Sequence, residues 1–281
     1  MCGFFFAKHR SNINNDAINE FFEIECNNFI KNRGPSYQEI YKSNTLFIYQ
    51  STLAIQSKLI KSNKIGAIGS KKFILYNGEI FGLDNSISDT EYIFDLCRRD
   101  ELDNQINDLD GMFIICNLMR INNNEILFDA YRDPTGEKHM WYYIDQDILL
   151  LSSVPAIIRK YLSKKGNLRI NRNAIDDYLK RRHFISPLDH PIKNLKNLKP
   201  GHKLSFNSEK WELVESKYFN YENLFSIELY KDLSKMNQAR YNDEFKNIFL
   251  KTLSKMENAS SSMKRSSSII SGGFDSSIIG A

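Results

Sequence analysis

The chain has 281 residues, of which 42% are apolar and 26% charged, with a formal net charge of +4. That is enough apolar material for one large domain or two ordinary ones, and it excludes a disordered chain. The lysines are dispersed among apolar and turn residues, as at Lys58, Lys61, Lys64, Lys71 and Lys72. They read as a solvated basic face and not as a nucleic-acid surface.

In chain order, Gly3–Ala7 is a short apolar run and predicts a buried strand. Ile18, Phe21, Phe22, Phe29 and Ile30 recur at helical spacing, which predicts a helix over residues 15–32, stopped by Arg33-Gly34-Pro35. Leu46–Tyr49 and Phe73–Tyr76 read as strands, with Asn77-Gly78-Glu79 as a turn leaving the second. Ser88-Asp89-Thr90-Glu91 matches a capping box and predicts a helix through Arg99. Strands are predicted at Met112–Leu118, Ile126–Tyr131, Trp141–Ile144 and Ile148–Ser152, then helices at 154–161 and 173–182. Pro200-Gly201 reads as a tight turn before a strand at His202–Phe206. Trp211–Lys235 reads as an irregular, aromatic linker, and 243–256 as a helix. The serine-rich stretch 258–268 reads as a loop. Three segments follow from this: a strand-rich domain at 1–208, a linker at 209–242 and a second unit at 243–281.

None of the four cysteines, Cys2, Cys26, Cys97 and Cys116, forms a Cys-x-x-Cys pair. They read as thiols in a reducing compartment. No stretch approaches the ~20 apolar residues of a membrane span, and no signal-peptide pattern opens the chain. The expected location is cytoplasmic, with no membrane partner and no nucleic acid.

The two ends carry chemistry. Removal of Met1 would leave Cys2 with a free α-amine, and a thiol beside an amine is a nucleophile with its own base. Near the other end, Ser271-Gly272-Gly273-Phe274-Asp275-Ser276 follows Ile269-Ile270. Two glycines allow close approach to an anion, and the serines and free N–H groups at a helix start can hold phosphate.

Further motifs lie between these ends: Arg33-Gly34-Pro35, Asn77-Gly78-Glu79-Ile80-Phe81, Ser88-Asp89-Thr90-Glu91, Leu109-Asp110-Gly111-Met112-Phe113, Arg132-Asp133-Pro134-Thr135-Gly136-Glu137-Lys138 and Pro200-Gly201. In this order and spacing the chain resembles the glutamine-hydrolysing asparagine synthetase family. The resemblance implies an α+β fold: an N-terminal-nucleophile-hydrolase sandwich of two stacked antiparallel sheets between helices, then the truncated start of an α/β ATP-pyrophosphatase domain. It implies that Cys2 attacks the glutamine amide and that the Asn77 side chain and Gly78 N–H form the oxyanion hole. Glu79 and Asp89 would hold the substrate α-ammonium. Ser271, Gly272, Gly273, Asp275 and Ser276 would bind ATP, with Asp275 as a magnesium contact. Glutamine and a carboxylate acceptor, aspartate by family default, are the implied substrates. Dimers are common among relatives, which leaves a homodimer open.

Local readings stand beside these. Asn-Gly is also a hairpin dipeptide. Asp89 also suits the first turn of a helix. The 132–138 turn reads as held by an internal ion pair.

The chain departs from the family pattern in several places. The strand usually reads His-x-Arg-Leu-Ser-Ile-like, and its arginine grips the glutamine α-carboxylate. Here it is Gln50-Ser51-Thr52-Leu53-Ala54-Ile55, with Thr52 in the arginine's place. A bidentate charged pair is thereby replaced by one neutral hydrogen bond, a loss of roughly 2–4 kcal/mol. Lys58 and Lys61 are the nearest candidates to compensate. Ser36 replaces an aspartate, and Ser152-Ser153-Val154 stands where relatives tend to have a glutamate. The chain also ends soon after the phosphate loop, which reads as a fragment or truncated reading frame whose residues after about 210 pack poorly. Two other readings remain: a glutaminase-defective relative of the β-lactam-synthetase or peptide-cyclase kind, and a non-catalytic amino-acid-binding module.

Overall fold

β1 (Gly3–His9) is buried along its whole length because it lies inside a sheet that is covered on both faces. A computed structural model of the chain describes residues 2–11, 15–53, 71–83, 87–182, 190–259 and 271–280. Successive side chains of a strand point to opposite faces. Phe4 and Phe6 therefore enter one apolar cluster, and Phe5 and Ala7 another. An apolar run without alternation is what a strand covered on both faces requires.

Helix α1 (Asp16–Phe29) follows, then β2 (Tyr37–Lys42), β3 (Leu46–Thr52) and β4 (Lys72–Ile80). α2 (Asp89–Arg98), the one-turn α3 (Leu102–Gln105), β5 (Gly111–Arg120), β6 (Ile126–Arg132), β7 (Trp141–Ile144) and β8 (Ile148–Ser152) come next. The rest is α4 (Pro155–Lys164), α5 (Arg172–Arg181), β9 (Lys196–Asn197), β10 (His202–Asn207), β11 (Glu212–Lys217), α6 (Ile227–Lys235), α7 (Gln238–Ala259) and α8 (Phe274–Gly280).

The strands form two antiparallel sheets. One has the order β2-β3-β1-β8-β7-β9, and the other β11-β10-β6-β5-β4. Their inner faces share one core. Phe4, Phe6, Ile48 and Leu151 from the first sheet meet Leu75, Cys116, Phe128 and Leu204 from the second. The Phe6 and Phe128 rings meet edge to face across it at 5.7 Å. The outer face of the first sheet packs on α1 and α4 through Phe5, Phe22, Tyr49 and Ile158. The outer face of the second packs on α2 and α3 through Tyr76, Ile93, Leu96 and Phe113. The molecule is therefore an α+β sandwich of two antiparallel sheets between helices, as the resemblance implies.

Two expectations are corrected. Asn77-Gly78-Glu79 is not a turn. It continues β4, opposite Ile114, Phe113 and Met112. Its glycine serves close strand approach: a Cβ at Gly78 would lie 2.3 Å from Met112 O and 2.7 Å from Phe113 Cα. The stretch from Trp211 is not irregular throughout. Glu212–Lys217 pairs with β10, so the second sheet runs past the boundary expected near 208. α8 starts at Phe274, beside Asp275, where a helix start was expected. Most of 258–268, together with Lys58, Lys61 and Ile269-Ile270, lies outside the described residues.

Beyond β11 the helices bury little. α6 has no buried residue, and Phe245, Ile248 and Phe274 stand largely exposed. The poor packing expected after about residue 210 holds for these helices but not for 211–217, where β11 pairs with β10 and Trp211 packs against the core. Among the described residues no helix is long and apolar enough to cross a membrane.

Candidate active site

The site is built where the chain enters β1. Gly3 is opposite Ser51 and Phe4 opposite Gln50, so one step further along this register Cys2 lies beside Thr52. Cys2 shares the inner face of Phe4, and Thr52 that of Gln50 and Ile48. Leu53 N–H donates to Cys2 Sγ at 3.4 Å, and the thiol in turn lies 4.0 Å from Leu53 O. The Arg33 Nε–H donates to Cys2 O at 3.4 Å. The loop carrying Arg33 presses on the same strand end. A Cβ at Gly34 would lie 2.3 Å from the Ser51 carbonyl carbon, so only glycine fits there. Behind β1, Ser153 accepts from Phe4 N–H at 3.0 Å and donates to Phe4 O at 3.2 Å. Ser153, within the stretch where relatives tend to have a glutamate, thus fixes the strand that begins beside Cys2.

The opposite wall is the edge of β4. Phe113 N–H and O both bond toward Asp133, through Asp133 Oδ2 at 3.3 Å and Asp133 N–H at 2.9 Å. Phe113 therefore turns its backbone away from β4, and Gly78 opposite it is a non-hydrogen-bonded pair. By the same period, Tyr76 and Gly78 aim their N–H and C=O groups at the open edge of the sheet, because β4 is its last strand. Gln50 reaches across from β3 and donates to Tyr76 O at 3.3 Å. The Gly78 N–H, two residues along, has no partner among the described residues. Asn77 is buried on the inner face, and its Oδ1 is buried without a partner.

The third wall is the start of α2. Ser88 caps it: its Oγ accepts from Glu91 N–H at 3.1 Å, and Glu91 closes the box on Ser88 N–H. Ser88 and not Asp89 supplies the capping box, and Asp89 is only 8% exposed. Its Oδ2 accepts from Tyr76 O–H at 2.8 Å and its Oδ1 from Thr90 N–H at 2.7 Å.

The groups feel one another. Burial pushes the Cys2 thiol above its usual range, the Leu53 hydrogen bond and Lys138 pull it down, and Asp89 pushes it up. Burial likewise raises Asp89. The hydrogen bonds from Tyr76 and Thr90 oppose that shift, and Glu79 adds to it. Burial holds the Tyr76 phenol far above its ordinary value, with Asp89, Cys2 and Glu79 reinforcing this. Cys2, Thr52, Asn77, Gly78, Glu79 and Asp89 thus converge at one end of the sandwich.

Ser271, Gly272, Gly273, Asp275 and Ser276 do not join them. Their hydrogen bonds are local: Ser271 N–H and Oγ both meet Ser276 Oγ, at 3.2 and 3.0 Å. Gly272 has φ +80°, with open space where a Cβ would stand. Among the described residues no cluster of His, Cys, Asp or Glu could hold a metal ion.

The 132–138 turn is held by hydrogen bonds and not by the ion pair expected for it. Asp133 is fully buried and accepts from Glu137 N–H at 2.8 Å, Lys138 N–H at 3.0 Å and Thr135 O–H at 3.0 Å, besides Phe113. Arg132 donates to the carbonyls of Lys138, Gly136 and Leu198. A buried guanidinium is satisfied by carbonyls as well as by a carboxylate.

Sequence reasoning missed Tyr76, Gln50 and the Leu53 backbone. The first two carried a signal only in hindsight, as polar residues within apolar strands. The third is a main-chain group that no side-chain pattern reports.

A family model described as a glutamine amidotransferase domain matches residues 1–219. No curated protein matches the chain. Among solved structures it is similar to the allosteric regulatory enzyme of purine biosynthesis, at 12% identity and TM-score 0.47, covering 78% of this chain and 49% of that one. Glutamine phosphoribosylpyrophosphate amidotransferase from B. subtilis, complexed with ADP and GMP, gives the same 12%, 0.47, 78% and 49%. The chain therefore spans about half the length of these two proteins. With residues 1–219 of 281 inside one family match, this chain belongs to the glutamine amidotransferase domain family.

Proposed function

We propose that the chain hydrolyses glutamine at Cys2 and serves as the front of an ATP-dependent, amide-forming ligase of the asparagine synthetase kind. One observation carries the glutaminase half. Cys2 Sγ sits at the sandwich end that also holds Asn77 and the Gly78 N–H on the β4 edge, which has no partner among the described residues.

Once Met1 is removed, the Cys2 α-amine takes the thiol proton, and the thiolate attacks the side-chain carbonyl carbon. Asn77 Nδ2 and Gly78 N–H receive the developing oxyanion, at roughly 3 kcal/mol per donor. Collapse breaks the C–N bond, the amine returns its proton to nitrogen, and ammonia leaves. Water then cleaves the thioester to glutamate. Asp89 and Glu79 hold the substrate α-ammonium.

The ligase half rests on the residues of 271–276 and their resemblance. The positive φ of Gly272 and the open space around it suit phosphate oxygens. Asp275 offers one carboxylate, and magnesium in such sites takes its other ligands from phosphates and water. ATP supplies the activation of the acceptor carboxylate when bound.

Thr52 favours a second reading, a relative with impaired glutaminase, since it ends β3 beside Cys2 and carries no charge. Thr52→Arg decides between the two. It is expected to lower the KM for glutamine about 10-fold or more by adding a charged bidentate contact to the α-carboxylate. Unchanged KM in steady-state ammonia assays would remove Thr52 from the site.

A further inference from the structure

We propose that Tyr76 is the positioning residue that aims the Asp89 carboxylate at the α-ammonium group of the amino-acid substrate. The inference rests on the glutaminase reading above and deepens it.

Tyr76 is placed for this by its strand. Its side chain lies on the outer face of β4, beneath α2, where it is 3% exposed. Its main chain lies on the sheet edge. The carbonyl accepts from Gln50 at 3.3 Å, and the phenol donates to Asp89 Oδ2 at 2.8 Å. One residue thus joins β3, which ends beside the nucleophile, to the first turn of α2. Its own peptide continues directly into Asn77 and Gly78.

The helix has no need of Asp89 as a cap, because Ser88 and Glu91 already form the box. A carboxylate kept inside the protein at that position, with a phenol on one oxygen and the Thr90 N–H and Oγ1 on the other, is oriented for a different partner. Among the described residues the groups facing it include Tyr76 and Glu79 of β4, Thr90 of α2 and Cys2 at the head of β1. Two carboxylates and a thiol make a site for a cation, and the phenol is the donor that keeps the more deeply buried carboxylate ionised and still. Hydrogen bonds to a charged carboxylate favour its charged form.

The test uses the full chain and two amides: L-glutamine and glutaramic acid, the same skeleton without the α-amino group. Tyr76→Phe is expected to lower kcat/KM for glutamine about 10-fold, mostly through KM, as the loss of a hydrogen bond to a charged group implies. Glutaramic acid should change by less than about twofold on the same reasoning. Its Ki against glutamine is read where its turnover is slow. The acid limb of the glutamine profile should move to higher pH, since Asp89 loses the bond that favours its charged form. Equal losses on both amides would show a merely structural tyrosine and overturn the inference. Should Tyr76→Phe not fold, 3-fluorotyrosine at position 76 replaces it. The more acidic phenol should move the acid limb to lower pH, and an unmoved limb overturns the inference. A wild-type chain with no Cys2-dependent hydrolysis of glutamine would bring down the glutaminase reading, and this inference with it. Hydrolysis that depends on Cys2 but treats the two amides alike in Tyr76→Phe would sink the inference alone.

Discussion

Cys2→Ala is expected to abolish ammonia release from glutamine, by at least about 10³-fold, with the fold retained by circular dichroism. No other thiol can substitute. Cys26, Cys97 and Cys116 are fully buried, and burial pushes each thiol far above its ordinary value. The Cys2 thiol is also raised by burial while Met1 is attached. In that form its nitrogen is an amide and cannot act as a base. Alkylation by iodoacetamide should then be slow at neutral pH and climb as pH passes the elevated value. Removal of Met1 creates a free α-amine on Cys2, which supplies the base. Intact-mass measurement of the active protein checks this directly. Ammonia release by a chain that keeps Met1 would refute the mechanism, as would release that survives Cys2→Ala.

Gly78→Ala is the second large effect. The added Cβ would meet Met112 O at 2.3 Å and Phe113 Cα at 2.7 Å. Those atoms are backbone of the paired strand and cannot move aside as a flexible side chain would. β4 must shift outward or lose register at this pair, at a cost of about 1–3 kcal/mol. The same movement displaces the Gly78 N–H and Asn77, so turnover should fall about 10²-fold or more, the scale of losing an oxyanion donor. Thermal unfolding and kcat, measured together, test both parts. A variant as stable and as active as the wild type would show that the close approach at Gly78 matters neither to the sheet nor to the site.

The Asn77-Gly78 pair shows how far a local pattern reaches. As a dipeptide it signals a hairpin turn. In the fold it sits within a nine-residue strand. The glycine is required by a neighbouring strand more than thirty residues away in sequence, which no local rule can register. Trp211–Lys235 erred in the same direction. Glu212–Lys217 is a half-exposed edge strand, and its pairing with β10 decides its structure more than its own composition does. The capping box at Ser88–Glu91 was legible because all its bonds are made within four residues. β7 and β8 were legible because apolar side chains fill both.

By itself the sequence determined most of the alternation of strands and helices through residue 207, though not β2, α3 or β9, together with the start of α2 and the candidacy of Cys2, Asn77, Gly78, Glu79 and Asp89. These follow from periodicity, capping chemistry and motif order, all of which are carried by residue types along one chain. Tertiary structure alone decided that Asp89 turns inward and not toward its helix cap, that Tyr76 holds it, and that Gln50 crosses from one sheet to the edge of the other. It alone left the Gly78 N–H without a partner among the described residues, because which backbone groups of an edge strand stay unpaired depends on the register of its neighbour. Distances between strands that are remote in sequence are fixed by packing, and a site assembled from three strand ends and a helix start exists only once that packing is made.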